Sequence, residues 1–327
     1  MAILLTDSDV ADLISMADAI ALTEKYYRVN DEGQARYHTP TRLKIPSGSL
    51  RITSGALLAD HVMGARVGPA SGLHGDVSVM NLFDTDTGRL LAVLAYPYSV
   101  LRTGANIGLA VKWLSSADAS TVALIGTGRN ARSLLRGIAA VRQVKSVAVY
   151  SRHADKRALF ARDVAAEFGD VEVRAASSSA DAVAGARIVV CATNSAVPVL
   201  GPDEAGPDAF VASMGSPAEL PAELLLSAAA IFVGAWEQER QYDHYHTYGE
   251  DVPPRVLVGL ARSGQLRWGA DVRQLDDAIE GRWALPSVGH VVFKESQGGC
   301  GDVALAAAAY RRARDLGRGR HIDFAST

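Results

Sequence analysis

The sequence predicts an α/β fold: a doubly wound parallel sheet inserted in a split, β-rich α+β domain. Three observations carry this. The run Thr121-Val122-Ala123-Leu124-Ile125 is short, apolar and β-branched, ends abruptly in glycines, and is followed by a helix-compatible stretch and a second apolar run, Ser146-Val147-Ala148-Val149-Tyr150. Beyond Arg152 short continuous apolar runs keep alternating with helical stretches, the pattern of a parallel sheet buried on both faces. From Ser54 to Leu101 the chain reads instead as strands joined by turns.

In chain order, residues 5–32 read as helical, with Ser15-Met16-Ala17-Asp18 as a capping box ahead of Ile20, Leu22 and Tyr26. Residues 36–52 are polar and read as irregular. Residues 54–101 are β-rich, and Asp84-Thr85-Asp86-Thr87-Gly88 separates two runs as a hairpin turn. Residues 102–114 form a helix leading into the glycine segment. After it come a helix over 155–168, a strand over 171–174, a helix over 178–185, and strands over 188–192, 210–215 and 230–233. Helices at 255–262 and 276–280, a strand at 291–294 and an Ala-rich helix at 304–316 complete the chain. That last helix is expected to pack back on the N-terminal part, giving a first domain of 1–115 plus 305–327 around a second of 116–304.

The glycine segment is Gly126-Thr127-Gly128-Arg129-Asn130-Ala131, a G-x-G-x-x-A pattern placed after a strand and before a helix. Its first glycine allows a tight turn, its second lets a pyrophosphate approach the backbone, and the small third residue lets helix pack on strand. The helix N-terminus then favours the phosphates. This is the arrangement of a Rossmann-type dinucleotide site. NAD sites place an acid at the end of the second strand to bond the ribose 2′-OH; here Ser151-Arg152-His153 stands there. With no acid to repel a 2′-phosphate, and Arg152 able to pair with one, NADP(H) is favoured over NAD(H). Thr193 and Met214, at the ends of later strands, are further cofactor-binding candidates, since ligands of such sheets lie beyond the strand carboxyl ends.

Composition narrows the partners. The 327 residues carry a formal net charge of −3 with no basic tract, which argues against nucleic acid and anionic membranes. With 48% apolar residues, a large core forms without staples. Cys191 and Cys300 have neither metal nor redox spacing, and the N-terminus has no signal pattern, so a cytoplasmic setting is expected. Cys191 reads as core; Cys300 has no paired base in sequence. No metal site is expected, since His244-x-His246 lacks a further ligand at convincing spacing.

The order of these pieces resembles the ornithine cyclodeaminase/μ-crystallin family. The carrying stretches are Pro40-Thr41-Arg42, Gly64-Ala65-Arg66-Val67, residues 84–94, Leu101-Arg102-Thr103-Gly104-Ala105, the glycine segment and Ala192-Thr193-Asn194-Ser195. The resemblance implies a β-rich domain that builds a homodimer and NAD(P)-linked chemistry on small amino or imino acids. It also implies that Arg42, Arg66 (where the family usually has lysine) and Arg102 hold the substrate carboxylate, and that Asp302 lies near the nicotinamide or else caps the last helix. The catalytic aspartate that the resemblance places after the strand 231–233 is Gly234 here, and the acidic segment upstream reads Ser216-Pro217-Ala218-Glu219-Leu220.

With a carboxylate clamp and a nicotinamide but no such aspartate, the expected reaction is hydride transfer from NADPH to the C=N carbon of a carboxylate-bearing imine. The candidate proton donors are Glu237, Asp243, His244 and His246, in a loop after a strand carboxyl end. Three alternatives stand beside it: a cyclodeaminase recycling bound NAD⁺ and releasing ammonia, a non-catalytic NADPH-binding protein, and a dehydrogenase whose substrate carries a second anionic group.

Overall fold

The structure is a computed structural model and describes residues 1–70, 78–241, 255–296 and 298–323. The chain divides into two compact units, Met1–Arg102 with Gln297–Thr327, and Thr103–Ser296. Both boundaries fall earlier in the chain than the expected 115 and 305. The first unit holds β1 (Ala2–Leu5), β2 (Ala35–Tyr37), β3 (Thr41–Ile45), β4 (Gly48–Leu57), β5 (Val62–Ala70), β6 (Val79–Asp84) and β7 (Leu90–Ala95). The second holds β8 (Thr121–Ile125), β9 (Ser146–Tyr150), β10 (Glu172–Ala175), β11 (Ile188–Cys191), β12 (Phe210–Ser213), β13 (Ala230–Val233), β14 (Val272–Gln274) and β15 (Val291–Lys294). The chain then returns to the first unit for β16 (Arg320–Ile322).

The first unit is a mixed sheet in the order β16-β1-β7-β6-β5-β4-β2, with β3 also paired to β4. Side chains alternate between faces with period two, and the register sorts them. Thr53 opposes Arg66, Arg66 opposes Met80 and Met80 opposes Leu94, so these four share one face. Ile52, Val67 and Val79 share the other. The helix Cys300–Asp315 packs on β4, β5 and the helix Met16–Asp31. Its start comes so close to β4 that a Cβ on Gly55 would lie 2.7 Å from the Cys300 nitrogen. The two helices are joined by Arg312, whose Nη1 and Nη2 donate to the Asp18 carboxylate at 2.9 and 2.7 Å. The capping box is formed: Ser15 Oγ accepts from the Asp18 N–H at 3.1 Å, and Asp18 Oδ2 accepts from the Ser15 N–H at 3.0 Å.

The second unit is a wholly parallel sheet in the order β10-β9-β8-β11-β12-β15-β13-β14. Strand order reverses between β8 and β11, the crevice where such sheets bind ligands. The helix Ala131–Ala139 follows the glycine segment and lies close to the helix Ser99–Leu114 where Gly104 meets Ser133 and Gly108 meets Gly137. A Cβ on Gly104 would lie 2.8 Å from the Ser133 carbonyl carbon, and one on Gly108 would lie 2.8 Å from that of Gly137. Among the described residues no helix is long and apolar enough to cross a membrane.

Several sequence expectations need correction. Residues 5–32 are not one helical stretch: Leu5 ends β1, and the helices are Asp7–Val10 and Met16–Asp31. Residues 36–52 are not irregular but form β2, β3 and the start of β4. Their apolar residues Leu43, Ile45, Leu50 and Ile52 are exposed, so polar and apolar positions do not follow the usual inside-outside alternation. The last helix begins at Cys300 rather than 304, with Gly299 in the capping position, so Asp302 lies inside its first turn and is not the cap.

Candidate active site

In the second unit a cleft of about 1060 Å³ opens beyond the carboxyl ends of β8, β9, β11 and β12. Gly126, Thr127, Gly128 and Asn130 line it on one side, Ser151 and Arg152 on another, and Thr193 and Met214 on a third. Gly126 has φ +112°, which a side chain resists. Gly128 does not: a Cβ there would meet nothing within 4 Å. Protein packing therefore leaves the space above Gly128 open, as close approach of a pyrophosphate requires. No side-chain hydrogen bond caps the helix Ala131–Ala139, and a helix N-terminus favours an anion such as a phosphate. Ala131 is fully buried under the turn and Arg129 is exposed; neither lines the cleft. Asn130 Nδ2 reaches Met214 Sδ at 3.6 Å, joining the glycine segment to the end of β12. These features fit a dinucleotide.

The rim beside β9 is cationic. Arg152, His153 and Lys156 line the cleft, and no Asp or Glu does among the described residues. Arg152 donates from Nε to His153 Nε2 at 3.2 Å. Lys156 and Ser179 were not expected from the sequence; they reach the rim from the helix Ala154–Phe168 and the start of the helix Ser179–Val183, a placement that only the fold reveals.

In the first unit Arg66, Arg102 and Asp302 come together, with Asp302 only 1% exposed. Thr53 Oγ1 and Arg66 Nε donate to Asp302 Oδ2 at 2.8 and 2.9 Å, and Arg102 Nε lies 3.0 Å from Oδ1. The Arg66 guanidinium also lies 5.4 Å from the centroid of the buried Tyr96 ring, a cation–π contact. Burial pushes the Asp302 carboxyl up, but the Arg102 and Arg66 guanidiniums outweigh it and hold the group at about 2. Burial, reinforced by the Asp302 charge, raises the Tyr96 phenol well above its ordinary value.

This arrangement has a chemical consequence. Both arginines turn Nε toward Asp302, which fixes their planes. Arg66 Nη1 has only a 3.5 Å contact to Ser78 Oγ, and its Nη2, though buried, has no hydrogen-bond partner among the described residues. A guanidinium held by one edge with an unmet donor on the other is suited to a carboxylate. Arg42 lies on β3 opposite Arg51, one strand and two residues from the Thr53–Arg66 pair on the same face, and is exposed.

Glu237 lies in the helix Trp236–Gln241, half-exposed and paired with Arg240 at 3.0 Å. His244, with Asp243 and His246, lies outside the described residues. The buried acid of that helix is Glu239, whose carboxyl is raised by burial although Lys294 and Arg255 oppose the shift. Cys300 is buried, donates to the Arg36 carbonyl at 3.1 Å and has a thiol pushed up to about 12 by burial, which makes it inert.

A sequence model of the "Ornithine cyclodeaminase/mu-crystallin family" matches residues 2–308. A Delta(1)-pyrroline-2-carboxylate reductase of Bacillus cereus is 29% identical over 259 residues, covering 75% of this chain and 74% of that protein. An alanine dehydrogenase of Archaeoglobus fulgidus is 26% identical over 338 residues, covering 98% of each. The solved structure of Thermococcus litoralis Delta(1)-pyrroline-2-carboxylate reductase in complex with NADH and L-proline shares the fold. Its TM-score is 0.85 at 22% identity, covering 98% of this chain and 100% of that one.

Proposed function

From the premise that the chain belongs to the ornithine cyclodeaminase/mu-crystallin family, we propose that it reduces the C=N bond of a small carboxylate-bearing imine. It is an NAD(P)H-dependent oxidoreductase of the imine reductase and amino-acid dehydrogenase type. The observation that carries the substrate reading is the buried guanidinium of Arg66, fixed through Nε on Asp302 with Nη2 unmet among the described residues. Arg66 and Arg102 bind the carboxylate and so set which face of the imine carbon is presented. When bound, the reduced nicotinamide supplies the hydride to that carbon. The imine nitrogen is basic and arrives protonated, so the demand on a protein acid is small.

Absorbance of reduced nicotinamide tests this. The protein is mixed with NADPH and a panel of α-keto acids plus ammonia or amines, alongside preformed cyclic imino acids. Oxidation with one class is the expected result. Ammonia release from an amino acid with no net cofactor change would replace the proposal with cyclodeamination.

We read the cationic rim as a 2′-phosphate site, which favours NADP(H) over NAD(H). Two cations, Arg152 and Lys156, line it beside His153, and no acid does among the described residues. Arg152→Ala is expected to weaken NADPH binding by about tenfold to hundredfold, the value of a charge-assisted hydrogen bond. NADH should bind the variant nearly as well as wild type. Equal losses for both cofactors, measured by fluorescence titration, would remove the assignment.

The outer face of the first unit's sheet supports a homodimer. Leu43, Ile45, Leu50, Ile52, Met63 and Val79 are all exposed on it, from 36% to 64%. Soluble monomers rarely expose a contiguous apolar patch of that kind. A second copy presents the same sheet to it, and burying both removes the patch. Sedimentation equilibrium should give about twice the 34.5 kDa chain mass, and a Leu50→Glu/Ile52→Glu variant should give a single chain. A wild-type particle of one chain mass would overturn this reading.

A further inference from the structure

Glu219 is wholly buried, yet the hydride chemistry above makes no use of it. Its surroundings lie at the carboxyl ends of β11 and β12, which pair through Cys191 and Ser213. Beyond those ends the chain lines the dinucleotide cleft, through Thr193 to Val199 on one side and Met214 and Gly215 on the other. A strand end leaves N–H groups that the sheet no longer satisfies. The Glu219 carboxylate collects them. Oε1 accepts from the Thr193 N–H. Oε2 accepts from the Gly215 N–H at 2.9 Å and from Ser213 Oγ at 3.0 Å. The Glu219 backbone carbonyl accepts from the Val199 N–H at 2.9 Å. One residue thus holds three cleft-lining positions.

The packing admits little else. A Cβ on Gly215 would lie 2.6 Å from the Thr193 nitrogen, so Gly215 is required for the approach. Lys294, opposite Ser213 at the end of β15, places Nζ 3.4 Å from the Ser213 and Gly215 carbonyl oxygens and 3.5 Å from Ser213 Oγ. A carboxylate accepts at both oxygens; an amide offers one acceptor and presents N–H groups to a donor already there. Charge, rather than shape alone, is therefore needed at Glu219.

A dinucleotide in such a sheet spans the strand reversal, here between β8 and β11. The adenosine half lies on the β8–β9 side with Ser151 and Arg152, which leaves the nicotinamide half over β11 and β12. We infer that Glu219 is a positioning residue for the nicotinamide half of the cofactor. It fixes Thr193, Val199 and Gly215 without touching the adenosine half. This rests on the dinucleotide reading of the cleft.

The test separates the two halves. Binding of NADPH and of 2′,5′-ADP, which carries only the adenosine half, is measured by calorimetry on wild type and Glu219→Gln. NADPH should weaken by about tenfold to hundredfold, while 2′,5′-ADP stays within about twofold. Ser213→Ala, which removes one donor and leaves the carboxylate in place, should show a smaller NADPH loss of the same kind if the glutamine variant fails to fold. Equal weakening of both ligands in these variants, or no weakening of either, would overturn the inference. Wild-type protein that binds neither ligand would overturn the dinucleotide reading itself, a distinct failure visible before any variant is made.

Discussion

Asp302→Ala is expected to destabilise the protein by about 3–5 kcal/mol, the cost of breaking a buried ion pair by removing one partner. The variant leaves the buried guanidiniums of Arg66 and Arg102 facing each other without the carboxylate between them. Thermal unfolding should show a melting temperature lowered by roughly 10 °C. A melting point within a degree of wild type would show that the carboxylate does not hold the arginines. Acid gives a second readout. The Asp302 carboxyl is held at about 2 against an ordinary 3.8. Its ionised form therefore contributes fully above about pH 4, and the contribution is lost as pH falls through about 2. The stability gap between wild type and Asp302→Asn should narrow over that window. A gap independent of pH would mean that packing around Asp302, and not its charge, is the stabilising element.

Arg102→Lys is expected to raise the Michaelis constant for the imine by about a hundredfold, with the Michaelis constant for NADPH nearly unchanged. Losing one member of a hydrogen-bonded charge pair costs about 2–5 kcal/mol, and about 2.7 kcal/mol corresponds to a hundredfold. Lysine keeps a positive charge near Asp302 but lacks the planar fork that bonds a carboxylate at two points. It thus separates recognition from stability, which alanine would not, because Arg102→Ala also leaves Asp302 with one cation fewer. If Arg102→Lys changes both Michaelis constants alike, Arg102 shapes the protein rather than the substrate site. An unchanged imine constant in a folded variant would remove it from the clamp.

The parallel sheet was legible because its strands are buried on both faces and so are continuously apolar. All four residues of Ile188–Cys191 are buried, as are those of Phe210–Ser213 and Ala230–Val233. The glycine segment was legible because a tight turn between strand and helix constrains its backbone, with Gly126 at φ +112°, and Ser15-to-Asp18 because a capping box is contained in four residues. The strands β2 and β3 were hidden: β2 is three residues long, and in β3 exposed Leu43 and Ile45 alternate with exposed Arg42 and Lys44, leaving no inside-outside signal. The short edge strands β14 and β16 were missed because three residues carry no period. Asp302 could be suspected from its loop, but its partner Arg66 is 236 residues away and only the folded chain shows the pair. Lys156 and Ser179 have no motif at all; their place at the cleft follows from where two helices begin.

The cationic rim of the cleft has an implication for how such a chain changes over generations. Arg152, His153 and Lys156 are all exposed, whereas Asp302 is buried with both of its arginine partners. Substitutions at exposed positions away from caps and networks usually shift stability by no more than about 0.5 kcal/mol. Under this reading, the pool of reducing equivalents the protein draws on is inscribed on solvent-facing side chains and can be rewritten one residue at a time. The acid-group anchor cannot drift in that way, because every single step strands a buried charge. The two halves of its specificity are therefore free to evolve at different speeds, and a laboratory lineage selected for another cofactor should accumulate changes at 151–156 long before any at 66, 102 or 302.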